Sequence, residues 1–82
     1  MIFRIYTLKK QYLEKELVRL TLGTDIGQLT VLDHHVPYLT AARGGMVELE
    51  TSDGLVEKLE VTRGVLEVLP GSRVNLLADL RV

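Results

Sequence analysis

The side chains with the greatest potential for chemistry lie together at residues 33–35, where an aspartate precedes two histidines, Asp33, His34 and His35. Imidazoles are common metal ligands and general bases, and a neighbouring carboxylate can orient them. Adjacent side chains of an extended segment point to opposite faces, so these two imidazoles are poorly placed to bind one metal ion. The chain has no cysteine and no further histidine to complete a ligand shell. We therefore predict no metal site here, and a structural or interface role for at least one of the two histidines.

Other patterns associated with catalysis are incomplete. Gly23 and Gly27 are one residue too close for a phosphate-binding loop, and Gln28 stands where its lysine would be. The Gly-x-Ser-x-Gly elbow is absent, and both serines, Ser52 and Ser72, lie in turn sequences. We predict no catalytic residue and no cofactor, and the composition allows a binding module, which needs no reactive group.

The composition is that of one small folded domain, residues 1–82. Hydrophobic residues make up 46% of the chain and charged residues 26%, a balance that favours a packed core over disorder. The formal net charge of −1 lacks the positive excess of a nucleic-acid binder, and the same balance argues against binding to anionic lipid. No apolar run reaches the roughly 20 residues of a membrane-spanning helix, and residues 1–10 lack a signal-peptide pattern, so we expect a soluble chain.

Turn-forming residues recur between segments that have only the length of a strand. They are Gly23, Gly27, residues 33–37, Gly44, Gly45, residues 52–54, Gly64 and residues 70–72. β-Branched and aromatic residues predict a strand over 2–8, and alternating apolar and polar residues predict one over 46–51. Residues 52–54 predict a hairpin turn into a strand over 55–61. A second hairpin is predicted between residues 64–69 and 73–78, and many short strands at regular spacing indicate a β-sandwich or barrel.

Residues 9–22 allow two interpretations. Leu13, Leu17 and Leu20 recur at helical spacing, and Lys10 and Glu14 can pair one helical turn apart. However, Val18, Leu20 and Leu22 alternate with polar residues, which predicts a strand over 17–22 equally well. The local pattern leaves both possibilities open.

Three motifs in the correct order resemble the epsilon subunit of the F-type ATP synthase. Residues 23–40 resemble that family's G-x-E-G-x-L-G-I-L-P-G-H-A-P-L-L-T, and Gly44-Gly45-Met46 falls where the family has P-G-V. Residues 64–68 and 74–79 resemble G-G-F-L-E-V and V-T-V-L-A-D. The chain departs from the pattern at Gln28, which replaces a glutamate, and at Asp33-His34, which replace Pro-Gly.

The resemblance implies a flattened ten-stranded β-sandwich, with residues 17–22 in a strand. It also implies a rotor subunit of the central stalk, peripheral to the cytoplasmic face of a bacterial inner membrane or an equivalent membrane, that couples proton or sodium flow to ATP synthesis. By position, Asp25, Gly27 and Gln28 are expected to face the c ring, and Thr7, His35, Pro37 and Thr40 to face the gamma subunit. The chain ends at Val82, before the regulatory helical hairpin of most members, so ATP binding and inhibition through that hairpin are not expected.

Two other interpretations follow from the residues without the resemblance. A stand-alone β-sandwich that binds a carbohydrate or another small ligand explains the strands equally well, although one Phe, three Tyr and no Trp provide few aromatic platforms. An enzyme built on His34 or His35 ranks third. We also expect the isolated chain to self-associate, because surfaces meant for partners would then be exposed.

Overall fold

Nine β-strands, and no helix, account for the regular structure in the computed structural model, which describes residues 1–81. The strands are β1 Ile2–Tyr6, β2 Gln11–Glu16, β3 Arg19–Thr24, β4 Gly27–Leu32, β5 Tyr38–Ala42, β6 Gly45–Glu50, β7 Val56–Val61, β8 Gly64–Leu69 and β9 Arg73–Leu77. The all-β prediction is confirmed. The structure has nine strands where ten were predicted, and one further pairing is reduced to an isolated bridge between Val61 and Leu80. No helix that could span a membrane occurs among residues 1–81.

The strands form one curled sheet in the order β2-β1-β9-β8-β5-β3-β6-β7, with β4 paired to β3. All neighbours are antiparallel except β1 and β9, which run parallel. Strands β5 and β3 share a single register pair, Thr24 with Ala42, so the sheet bends there. Five strands (β2, β1, β9, β8, β5) therefore form one layer and four (β4, β3, β6, β7) the other, which is the arrangement of a β-sandwich.

Alternate residues of the strands point inward and fill the space between the layers. The buried apolar residues are Met1, Phe3, Ile5, Leu17, Leu20, Leu22, Val31, Ala42, Val47, Leu49, Val61, Leu66, Val68, Val74, Leu76 and Ala78. At the sheet's outer strands, Lys15 of β2 and Glu57 of β7 lie on the inward faces and form an ion pair. Inward-pointing charges on edge strands oppose the addition of further strands, so this pair also protects the edges.

Residues 9–22, which were ambiguous in sequence, contain strands β2 and most of β3. The leucines that suggested a helix all face the core: Leu13 of β2 is partly buried, while Leu17, in the connection, and Leu20 of β3 are fully buried. The backbone of β2 is paired to β1 and that of β3 to β4 and β6, and pairing of this kind overrides a local preference for helix. The strand interpretation is therefore confirmed, with β3 beginning at Arg19.

The connections between strands gather at two opposite ends of the sandwich. We call one the β3–β4 end; it contains residues 7–10, 25–26, 43–44, 62–63 and 78–81. We call the other the β4–β5 end; it contains Met1 and residues 17–18, 33–37, 51–55 and 70–72. Strand β4 runs from one end to the other, so the turn before it and the corner after it are separated by six residues, or roughly 20 Å of extended chain.

Candidate functional site

The turn between β3 and β4 is held by the hydroxyl of Thr24, the one buried polar residue among those the structure describes. Its Oγ1 donates a hydrogen bond to the carbonyl of Gly27 at 2.7 Å and accepts one from the amide of Ile26 at 3.3 Å. Gly27 has φ 127°, a conformation that only glycine adopts easily, and it confirms the turn expected there. Gly23, by contrast, has ordinary strand geometry opposite Gln28.

Asp25, one of the three residues predicted to face the c ring, forms an ion pair within the chain. One guanidinium nitrogen of Arg63, Nη2, lies 2.8 Å from both of its carboxylate oxygens. Both side chains are largely exposed, so the pair contributes little to the free energy of unfolding. Its effect is to offset the negative charge of the turn, because the guanidinium of Arg63, from the β7–β8 connection, lies beside the carboxylate. Gly27 and Gln28 are exposed beside it.

His35 lies at the other end of β4, in the corner that leads to β5. Its amide donates to the carbonyl of Leu32 at 3.2 Å, and its Nδ1 lies 2.7 Å from the carbonyl oxygen of Val36. The imidazole also packs at a tilted angle against the ring of Tyr38, with centroids 6.3 Å apart. These contacts orient the ring while leaving it half-exposed next to the exposed Pro37. No group of three or more His, Asp or Glu residues within 1–81 is arranged to hold a metal ion.

Two contacts stabilise the Asp33-His34 corner, where the chain departs from the family pattern. The carboxylate of Asp33 accepts a hydrogen bond from the terminal ammonium of Met1, which also donates to the carbonyl of Leu17 at 2.8 Å. His34 has φ 63°, the left-handed conformation in which glycine is favoured, and its amide donates to Oγ of Ser72 at 3.1 Å. The family's glycine thus has a structural counterpart in His34, whose strained backbone is supported by a neighbouring hairpin.

We predict that the contact between Asp33 and the ammonium group makes stability depend on acid pH. The hydrogen bond from the terminal ammonium lowers the pKa of Asp33 below its ordinary value. Its stabilising contribution is therefore complete above the unfolded-state pKa of about 3.9 and is lost as the pH falls through the lower folded-state pKa. Asp33→Asn should lower the urea midpoint at neutral pH, and the difference from wild type should disappear towards pH 2. A difference that persists at low pH would show that the carboxylate charge is irrelevant.

The remaining predicted partner-facing residues, Thr7 and Thr40, lie apart from His35. Thr7 is at the β3–β4 end, where its Oγ1 donates to the carbonyl of Lys10 at 3.2 Å and accepts from two amides of its own turn. Thr40 lies opposite the fully buried Leu66, so it is on the inward side of β5, half-buried near the strand's open edge. The structure therefore brings together His35 and Pro37, places Thr40 farther along β5, and places Thr7 with Asp25, Gly27 and Gln28.

Three exposed residues at the β3–β4 end were not singled out in the sequence. Arg63 holds Asp25 from 38 positions away, and no local pattern indicates that pairing. Leu8 and Ile26 are 97% and 86% exposed, the highest values among the large hydrophobic residues that the structure describes. The sequence signal was available for Ile26, an apolar residue within a turn sequence, but not for Leu8, which was predicted at the end of a strand over 2–8, whereas β1 ends at Tyr6 and Leu8 lies in the following turn. Leu8 and Arg63 line a cleft of about 240 Å³ together with Tyr6, Thr7, Thr62, Leu77, Ala78 and Asp79.

The chain was compared with known proteins by sequence. The family model described as the β-sandwich domain of the ATP synthase delta/epsilon chain matches residues 1–81. An ATP synthase epsilon chain from Bordetella petrii is 39% identical over 62 residues, which cover 76% of this chain and 43% of that protein. The chain therefore spans less than half the length of this curated relative.

Solved structures of low sequence identity share the fold. A chain of the Euglena gracilis mitochondrial ATP synthase, in a structure of OSCP, F1 and c-ring, matches with a TM-score of 0.88 at 20% identity. The match covers 95% of this chain and 49% of that one. A chain of the Tetrahymena thermophila mitochondrial ATP synthase central stalk and c-ring matches with a TM-score of 0.80 at 17% identity, covering 96% and 63%. With the sequence match across residues 1–81, the conclusion is that this chain belongs to the ATP synthase delta/epsilon chain β-sandwich family.

Proposed function

We propose that this chain is a non-catalytic rotor component of an ATP synthase, which binds the gamma subunit and the c ring and couples ion flow to ATP synthesis. The observation that carries the proposal is the family match over residues 1–81. Two solved relatives come from assemblies described as containing the c-ring, and one of these is described as a central stalk. On this proposal the chain works at the cytoplasmic face of an energy-transducing membrane, held there through its partners.

The exposed turn before β4 supports the ring contact. Gly27 allows a tight turn, Thr24 fixes its shape, and the side-chain amide of Gln28 can donate and accept hydrogen bonds without bringing a charge. A neutral amide suits the small polar loops implied for c subunits, because no unpaired charge is buried when the surfaces meet. Asp25, already accompanied by Arg63, also adds little net charge to such a contact.

The corner after β4 supports the gamma contact. His35 presents an imidazole that is oriented by Val36 and Tyr38 but remains half-exposed, and Pro37 restricts the backbone beside it. Such a surface loses little conformational freedom on binding. Thr40 would contribute at the open edge of β5, whereas Thr7 would require gamma to extend along the whole length of the sandwich to the β3–β4 end.

We expect two single substitutions to separate the two partner contacts. His35→Ala should weaken binding to gamma about tenfold, because a half-buried side chain is removed from the proposed interface, and should leave ring binding unchanged. Gln28→Ala should weaken binding to the c ring and leave binding to gamma unchanged. Binding would be measured to purified gamma, and, with gamma bound, to c rings in nanodiscs.

The two variants act as controls for each other, since each residue lies at a different end of β4. Thermal unfolding should change little in either, as neither side chain is in the core. Loss of folding in His35→Ala with no separate binding defect would assign the histidine a purely structural role. Failure of the wild-type chain to bind gamma, together with binding of a sugar or metabolite, would overturn the rotor proposal.

A further inference from the structure

The four edge strands of the sandwich differ in how well they are protected. Strands β2 and β7 carry three charged residues each, and the inward ion pair between Lys15 and Glu57 places one strand over the other. Strands β5 and β4 are therefore the edges at the opposite side of the sandwich, and neither contains a charged residue. Charged residues on an edge strand oppose the addition of a further strand. The side formed by β4 and β5, which we call the open side, lacks this protection.

Strand β5 carries unpaired backbone groups along its edge at the open side. In an antiparallel ladder, successive residues turn their N–H and C=O groups to alternate neighbours. The amide of Arg43 donates to the carbonyl of Gly23 in β3 at 2.9 Å. By this alternation, Leu39 and Ala41 turn their groups to the same edge, away from β8, where β3 has diverged after its one register pair with β5. The Ala41 carbonyl accepts a bond of 3.4 Å from the Thr40 hydroxyl, and the other three groups find no partner within residues 1–81.

The core is incompletely covered at the open side. Leu29 of β4 lies opposite the buried Leu22, so its side chain points inward. Tyr38 of β5 points inward too, because it lies opposite the buried Val68. Nevertheless, Leu29 is only partly buried and Tyr38 is 37% exposed. A further strand beside β5 would extend its layer over β4 and cover both side chains.

The outer face of β5 is apolar next to the free edge. Leu39 is 69% exposed on this face. Ala41 lies opposite Val65 of β8, which in turn lies opposite Leu77 of β9, so an apolar row crosses three strands. Val65 and Leu77 are 41% and 47% exposed. Because side chains opposite each other on neighbouring strands pack together, an added strand fits best with an apolar residue opposite Ala41.

We propose that the gamma subunit binds by adding an extended, uncharged segment to the free edge of β5. This inference rests on the proposed function, because three of the residues assigned to gamma, His35, Pro37 and Thr40, precede or belong to this strand. Main-chain hydrogen bonds to Leu39 and Ala41 supply affinity in this mode, and alternate side chains of the segment supply specificity. The mode also accounts for a gamma contact at Thr40, whose side chain points inward, since the backbone on either side of it makes the contact.

Leu39→Pro should weaken binding to purified gamma about tenfold, because proline removes the free amide and leaves the pairing with β8 intact. Leu39→Ala keeps the amide and should bind gamma more tightly than Leu39→Pro. The matched control is Lys58→Pro in β7. The amide of Arg81 donates to the carbonyl of Glu60 at the outer edge of β7 at 2.9 Å, so by alternation Lys58 turns its amide to that edge. Lys58→Pro should bind gamma like the wild type.

Hydrogen exchange of the wild-type chain tests the same contact without a substitution. When gamma binds, the amides of Leu39 and Ala41 should exchange about tenfold more slowly, and that of Lys58 should be unchanged. Equal gamma binding by Leu39→Pro and the wild type, or unchanged exchange at Leu39, would overturn strand addition and leave the gamma contact standing. Slower exchange in β4 in place of β5 would also overturn it. Failure of the wild-type chain to bind gamma would overturn the proposed function and this inference together.

Discussion

Gly64→Ala is expected to destabilise the protein by about 3 kcal/mol, at the upper end of the usual cost of overpacking. A Cβ at this position would lie 2.0 Å from the carbonyl oxygen of Leu77, 2.8 Å from Cβ of Ala78 and 3.0 Å from the carbonyl carbon of Leu77. Two of these three atoms belong to the backbone, so no side-chain rotation relieves the clash. The end of β9 must move away from β8, at the cost of the register pair between Val65 and Leu77.

Gly23→Ala is the matched control for this substitution. A Cβ at Gly23 would meet the side chain of Arg43 at 3.7 Å, which is ordinary van der Waals contact. Because its backbone geometry suits any residue, this variant should be as stable as the wild type or slightly more so, since alanine restricts the unfolded chain. Urea unfolding of both variants measures the difference. Equal urea midpoints for Gly64→Ala and Gly23→Ala would show that the close approach of the end of β9 does not require glycine at position 64.

Phe3→Ala is expected to cost about 3–5 kcal/mol, the range for removal of a buried aromatic side chain. Phe3 is the one phenylalanine of the chain, is 0% exposed, and lies in β1 between Lys15 of β2 and Val74 of β9. A domain of 82 residues has a total stability of about 4–12 kcal/mol. The substitution therefore removes a large share of the stability and is expected to leave a measurable unfolded population.

Leu39→Ala provides the comparison, since Leu39 lies on the outer face of β5 and is 69% exposed. It should change the free energy of unfolding by less than about 0.5 kcal/mol, as for most surface positions. Chemical denaturation with a fluorescence or circular dichroism signal gives both values. If the two variants lost similar stability, the division of side chains between core and surface described above would be incorrect.

The strands and hairpins could be predicted largely from local pattern because their causes are local. Residues 52–54 and 70–72 form turns in which Gly54 and Gly71 have positive φ, and the strands that enter them, β6 and β8, alternate between buried and more exposed residues. The family could be identified because three short motifs occur in the correct order. The nature of residues 9–22 could not be decided from local pattern, because it depends on pairing with β1, β4 and β6.

The candidate site was predictable in part. The turn at Gly27 and the corner at His35 follow from residue type, and the structure places them at opposite ends of β4. The inward orientation of Thr40 could not be predicted from the sequence, because it depends on the register of β5 with β8, which places Thr40 opposite Leu66. The strained backbone of His34 could not be predicted either, since histidine gives no indication of positive φ. Ser72, which accepts a hydrogen bond from the amide of His34, lies on another hairpin.

The sequence by itself determined that residues 23–40 form a turn, a strand and a corner, because glycine, proline and alternating apolar residues act on the backbone nearest to them. It also determined the net charge, but the net charge does not show where the charged residues lie in the folded protein. Only the tertiary structure decided that Arg63 accompanies Asp25 and that Lys9, Lys10 and Arg43 gather at one end with Leu8 and Ile26. These groupings arise from strand pairings between distant segments, which bring together turns that are far apart in the chain.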